Sequence, residues 1–199
     1  MPGPCSLRRQ TSIASRRSMC LHLVAPIRHV SRVMLAIVFS FTSLLAAAQA
    51  VHEAPADAPS SGRVAPQGEP GQPLTVTGTV TSPDGAPIPG ASLYIYQTDD
   101  EGYYGVKPVS DNRHPRLKLF LRSDPSGAWS FTTIKPGSYP KSRVPPHIHF
   151  EVSAPGREPR IFEIVFEGDS FVMPEMRQNP AFSVRPIEDG KVTERIVLR

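Results

Sequence analysis

What most limits the fold of this chain is a pattern repeated after residue 74. Short runs carry apolar side chains at every second position, and each run ends in a glycine- or proline-bearing turn. Successive side chains of a strand point to opposite faces, so this alternation marks strands with one face in a core. The pattern predicts strands over 74–80, 91–97, 117–122, 128–134, 147–153, 160–166 and 191–198. Ser82-Pro83-Asp84-Gly85, the stretch 124–127, Pro155-Gly156 and Asp189-Gly190 supply turns, with proline fixing one dihedral and glycine taking the positive one. One helical turn fits 174–179, and no amphipathic helix of ordinary length is present. The expected fold class is all-β, an antiparallel β-sandwich.

The first 50 residues are different in kind. They hold six Arg, no Lys and no acidic residue, together with both cysteines, Cys5 and Cys20. The other 149 residues carry 16 basic and 18 acidic side chains, so the basic excess of the chain belongs to its N-terminal segment. Nothing beyond that segment has the charge of a nucleic-acid binder, and without cysteine it has no disulfide framework. The 15-residue apolar run 34–48 is shorter than the roughly 20 residues that span a bilayer. It follows Arg28 and Arg32 and leads into Ala48-Gln49-Ala50, a small-x-small cleavage pattern. Residues 1–50 are therefore expected to be an export signal, with Val51 the first mature residue and no membrane span once the signal is removed. The protein would then be periplasmic or extracellular. Translation from Met19, or a twin-arginine signal using Arg16-Arg17, remain open alternatives. Residues 51–73 are rich in Pro, Ala, Gly and Ser and have no apolar period, so they are expected as a linker. Residues 74–199 form the expected folded domain.

Chemistry concentrates in YPKSRVPPHIHF, residues 139–150. On a strand, His147 and His149 project from one face about 6–7 Å apart, while Ile148, Phe150 and Val152 enter the core. Two long irregular stretches, 98–116 and 135–146, contain Tyr103 and Tyr104 in the first and Tyr139 in the second. Each piece alone has a plain reading, as polar side chains on a solvated face or tyrosines packed at a corner. Together they suggest a metal with two imidazole and two phenol ligands. A phenol has an ordinary pKa near 10 and ligates when ionised, which calls for a strong Lewis acid. Ferric iron suits such a set, since two phenolates and a hydroxide balance its charge. Zinc and cuprous copper favour thiolates and imidazoles, and residues 51–199 hold no thiol.

The same residues resemble a family, the intradiol ring-cleavage dioxygenases. GTVTSPDGAPIPGASLYIYQ (78–97) is similar to the family's opening strand, turn and strand. TDDEGYY (98–104) resembles the family's acidic stretch, glycine, one residue and first ligand tyrosine, which selects Tyr104 over Tyr103. TTIKPGSYP (132–140) resembles the segment with the second ligand tyrosine, Tyr139, and His147-Ile148-His149-Phe150 resembles the histidine pair. Phe166-Glu167-Gly168-Asp169 is similar to a further downstream motif. The resemblance implies non-haem Fe(3+) held by Tyr104, Tyr139, His147 and His149. A catechol-type diol and O2 would be the substrates and a muconate-type dicarboxylic acid the product. It also implies that Tyr139 acts catalytically as a departing base, that Arg143 steadies charge on the substrate, and that the protein pairs as a homodimer. Arg143 stands four residues before His147, where the family has its arginine three before, with Val144 at the usual place. On an extended segment that shift turns a side chain to the other face. The loop between Tyr139 and His147 is also shorter than is usual in the family, and Tyr96 stands where a tryptophan is common. Two other readings compete: a metal-free exported β-sandwich of the transthyretin-like kind, and an iron or catecholate binder that does not cleave the ring.

Overall fold

The structure, a computed structural model, describes residues 51–199; the export-signal reading of 1–50 lies outside the described residues. Nine strands form: β1 (Ser61–Arg63), β2 (Pro73–Thr81), β3 (Ser92–Gln97), β4 (Leu117–Arg122), β5 (Ala128–Ile134), β6 (His147–Ser153), β7 (Arg160–Phe166), β8 (Phe182–Arg185) and β9 (Lys191–Val197). Among the described residues, one 3-10 turn covers Pro174–Arg177. No helix among the described residues is long and apolar enough to cross a membrane.

The strands make two sheets, one in the order β1-β5-β2-β9 and one in the order β4-β3-β6-β7-β8. Alternation explains which side chains meet between them. Val76 and Val80 of β2, Phe131 of β5, Ile95 of β3, Ile148 and Phe150 of β6, and Phe162 and Ile164 of β7 are all buried in one apolar cluster. Trp129 joins this core, stacked near Phe131 with ring centroids 6.0 Å apart. It fills the space that Gly78 leaves, since a Cβ there would lie 2.4 Å from the indole.

Two expectations need correction. The sandwich is not wholly antiparallel, because β1 with β5, β2 with β9, and β7 with β8 pair in parallel. Hairpin turns impose antiparallel pairing, whereas these partners arrive after long connections, which parallel pairing requires. Residues 51–73, expected as a linker, are packed against the domain. Ser130 N–H donates to Ser60 O at 3.0 Å and Val64 N–H to Thr132 O at 3.0 Å, so the segment extends the sheet edge. The Arg122 guanidinium donates to the carbonyls of Ala54 and Pro55. Ala54, Val64 and Ala65 are the side chains it buries. Small residues docked through backbone hydrogen bonds leave no hydrophobic period for a sequence reading to find.

The pairing places chemistry at one end of the second sheet. Gln97 at the end of β3 faces Ile148, and His147 at the start of β6 faces Val165 near the end of β7. The long loops 98–116 and 135–146 therefore open at the same end as the histidine pair.

Candidate metal centre

Strand β6 supplies the rigid half of the site. His147 and His149 share its outward face, and their Nε2 atoms lie 3.1 Å apart. The rings are held differently. His147 Nδ1 donates to the Pro145 carbonyl at 2.7 Å, which leaves Nε2 as the free ligand atom. His149 lies flat against Tyr96, with ring centroids 4.3 Å apart and planes 9° from parallel. Its Nδ1 faces Glu163 Oε1 at 3.4 Å, directly across the β6–β7 ladder. Burial drives its pKa down to about 3, so this imidazole is neutral and able to ligate.

The tyrosines arrive on loops, and two glycines bring those loops together. At Gly137 a Cβ would stand 2.3 Å from Asp100 O, and at Gly102, with φ +87°, it would stand 1.9 Å from Ser138 O. Neither position admits a side chain, so backbone crosses backbone there. Gly137 N–H donates to Asp99 O at 2.8 Å and the Thr98 hydroxyl donates to Gly137 O at 2.9 Å. The Asp99 carboxylate accepts from the amides of Glu101 and Tyr103, folding the first loop back on itself. Arg116 N–H donates to Tyr104 O at 2.7 Å, and the Arg116 side chain is gripped by both Glu69 oxygens at 2.6 and 2.7 Å.

The four side chains named from the sequence converge. Tyr104 Oη lies 2.5 Å from Tyr139 Oη and 2.6 Å from His149 Nε2, and Tyr139 Oη lies 2.9 Å from His147 Nε2. Tyr104 is buried and Tyr139 half-buried. Burial pushes both phenols above their ordinary pKa. Their Oη atoms are in direct contact, so ionising one phenol bears on the other. Among the described residues no Lys or Arg is hydrogen-bonded to any of the four donor atoms. Two phenols crowded against two imidazoles, with no cation to balance ionisation, fit a strongly Lewis-acidic metal.

Arg143 is hydrogen-bonded to none of the four donor atoms. It is exposed and makes no hydrogen bond or ion pair among the described residues, and Val144 beside it is exposed as well. The chain turns at 139–142, with Ser142 N–H donating to Tyr139 O and Lys141 at φ 60°, and it leaves residue 143 on the solvent side. Glu163 escaped the sequence reading although the strand pattern contains it. A hairpin turned at Pro155-Gly156 pairs residue 149 with residue 163, and Glu163 alternates outward between Phe162 and Ile164. Glu163 and the two histidines form a cluster whose possible ligand atoms all lie within 4.8 Å of one another, and burial raises the Glu163 pKa.

A family model described as Dioxygenase matches residues 47–187. The chain belongs to the intradiol ring-cleavage dioxygenase family. It is 35% identical over 121 residues to a hydroxyquinol 1,2-dioxygenase of Nocardioides simplex, covering 53% of this chain and 41% of that one. To a catechol 1,2-dioxygenase of Acinetobacter lwoffii it is 29% identical over 140 residues, covering 62% of this chain and 48% of the relative. The chain thus spans less than half the length of these relatives. Among solved structures, the dioxygenase domain of a carbohydrate-binding fusion protein from Streptomyces sp. SirexAA-E matches with a TM-score of 0.54 at 25% identity. That match covers 76% of this chain and 97% of the domain. A mercury-inhibited catechol 1,2-dioxygenase of Acinetobacter sp. ADP1 shares the fold with a TM-score of 0.55 at 22% identity, over 72% of this chain and 59% of that one.

Proposed function

We propose that this chain is a non-haem ferric dioxygenase that opens the ring of a catechol- or hydroxyquinol-type diol between its two hydroxylated carbons. Both atoms of O2 would enter a muconate-type dicarboxylic acid. The observation that carries the proposal is the convergence of Tyr104, Tyr139, His147 and His149 on one point, with donor-atom contacts of 2.5–3.1 Å. Family membership and the names of the relatives supply the substrate class.

All four side chains would hold the iron. Ferric iron bound there supplies a Lewis acid that keeps phenols ionised near neutral pH and withdraws charge from a bound diol. The chain's residues do the rest. His147 and His149, fixed on β6, set the position of the centre. Tyr104, buried and anchored through its carbonyl to Arg116, is the lasting phenol ligand. Tyr139, half-buried on the 135–146 loop, would offer its ionised Oη as the base that takes a proton from one diol hydroxyl. Tyr96 walls the His149 side of the site.

The test is oxygen uptake by iron-loaded protein on a panel of catechols and hydroxyquinols, with product absorbance followed in parallel. Uptake matched to ring-opened product is the expected result, and coloured protein with no uptake on any diol would refute cleavage. One observation favours a second reading. Arg143 is exposed and makes no hydrogen bond, and a site without its charge on the substrate would suit a protein that binds a diol on iron without opening it. A diol-dependent shift in colour without oxygen consumption is the mark of that binder.

A further inference from the structure

The two imidazoles of the cluster have unlike partners behind them. His147 is backed by a neutral backbone carbonyl, that of Pro145, at 2.7 Å. His149 is backed by a carboxylate, Glu163 Oε1, at 3.4 Å from Nδ1. We infer that Glu163 is the positioning residue for His149, holding its ring in the metal-facing tautomer and making its Nε2 the stronger donor of the pair. This inference rests on the ferric-centre reading above.

Three observations support it. The His149 Nε2 atom lies in the cluster, 2.6 Å from Tyr104 Oη, so ligation from Nε2 leaves the proton on Nδ1. That Nδ1 has Glu163 as its facing group, and the partnership is built into the sheet, since His149 and Glu163 are register partners of β6 and β7. Tyr96, stacked at 4.3 Å and 9°, fixes the plane of the ring but not which edge meets the cluster, since a half-turn about Cβ–Cγ keeps that plane; an acceptor facing Nδ1 distinguishes the two orientations. The 3.4 Å separation is longer than a tight hydrogen bond, and His149 is neutral, so the two are not an ion pair. Glu163 acts first as an acceptor facing the Nδ1 proton, and once a metal is bound its charge would add to the ring's donor strength. A carboxylate behind a ligating histidine raises the ring's basicity, and losing such a partner typically weakens metal binding by about 10–100-fold.

The experiment compares full-length wild type, Glu163→Gln, Glu163→Ala and His149→Ala. Iron affinity is read by chelator competition and the visible phenolate-to-iron band by absorption, with thermal unfolding of the metal-free proteins as the control for folding. Glu163→Ala is expected to weaken iron binding about 10–100-fold. Glu163→Gln, which keeps an acceptor but loses the charge, is expected to bind better than the alanine variant. Both variants should move the band to longer wavelength, because a less electron-rich iron accepts charge from the phenolates more readily. Affinity and band position equal to wild type in both variants would overturn the inference. Loss of iron as complete as in His149→Ala would overturn it too, by making Glu163 a ligand. A wild type that takes up no iron overturns this inference together with the proposed function, whereas a coloured wild type matched by unchanged variants overturns this inference alone. Should Glu163→Ala fail to fold, the glutamine variant's band position decides.

Discussion

The two outward faces of this sandwich obey the same alternation and carry opposite chemistry. On the first sheet, Ser61, Thr75, Thr77, Thr79, Ser130, Thr132 and Thr193 point outward, and Thr77 sits in register between Ser130 and Thr193. These are short hydroxyls, half-buried or exposed, and content in water. On the second sheet the outward positions hold Tyr94, Tyr96, His147, His149 and Glu163, buried or half-buried beneath loops and stacked on one another. A shallow concavity of about 400 Å³ lies on the hydroxyl face, lined by Ser61, Thr77, Thr79, Ser130 and Thr193 among others. The lesson is that an outward face which buries ionisable side chains needs something to justify their desolvation, and a bound metal would do so.

The comparison can be broken most severely at the ligands. Tyr104→Phe or His147→Ala should abolish iron binding and turnover, measured by metal analysis and oxygen uptake, while the matching hydroxyl change on the quiet face, Thr77→Val, should leave both intact. Full iron content in either ligand variant would remove the distinction between the faces. Next in size is Gly102→Ala. Its new Cβ would press on the Ser138 carbonyl at a φ of +87°, so stability should fall by about 1–3 kcal/mol. The two phenols should separate, visible as loss of the coloured band. A melting curve and spectrum like wild type would show that the loops are not locked by their backbones.

A smaller effect concerns acid. The Arg116 hydrogen bond holds the Glu69 carboxyl below its ordinary 4.5. A depressed carboxyl contributes stability that is present above its unfolded pKa and lost as pH falls through the folded one. Glu69→Gln should therefore cost about 1 kcal/mol near neutrality, and the gap to wild type should close below pH 4.5. Denaturant melts at several pH values check this, and a gap that widened in acid would contradict the sign. The smallest effects are expected at Tyr103→Phe and at Arg143→Ala, since neither side chain is hydrogen-bonded to a donor atom of the cluster; steady-state kinetics on a catechol would expose any loss. Thr77→Val should shift stability by no more than about 0.5 kcal/mol.

Much of this was legible in the sequence. Strands β4, β5, β6 and β7 fall where alternation placed them, at Leu117–Arg122, Ala128–Ile134, His147–Ser153 and Arg160–Phe166, because each buries one face against the same core. The four ligand candidates were named, and the structure gathers them. β1 and β8 were missed, being strands of three and four residues that pair in parallel with an edge and carry little apolar pattern. The resemblance implies a role for Arg143 against which its one-residue shift argues, and its orientation depends on a turn at 139–142 that no periodicity reveals. Glu163 was overlooked because a single acidic residue within an apolar run reads as the solvent-facing half of a strand. Only the register of a neighbouring strand shows what stands opposite.

Strand β5 belongs to one sheet and β6 to the other, so the stretch 135–146 that carries Tyr139 is the gangway between the two layers. A metal gripping Tyr139 and His147 together would tether one end of that gangway to the landing it leads to. A swing of the loop that withdraws Tyr139 with its backbone would then flex a joint of the sandwich itself. Events at the iron and the relative play of the layers would share a single mechanical part.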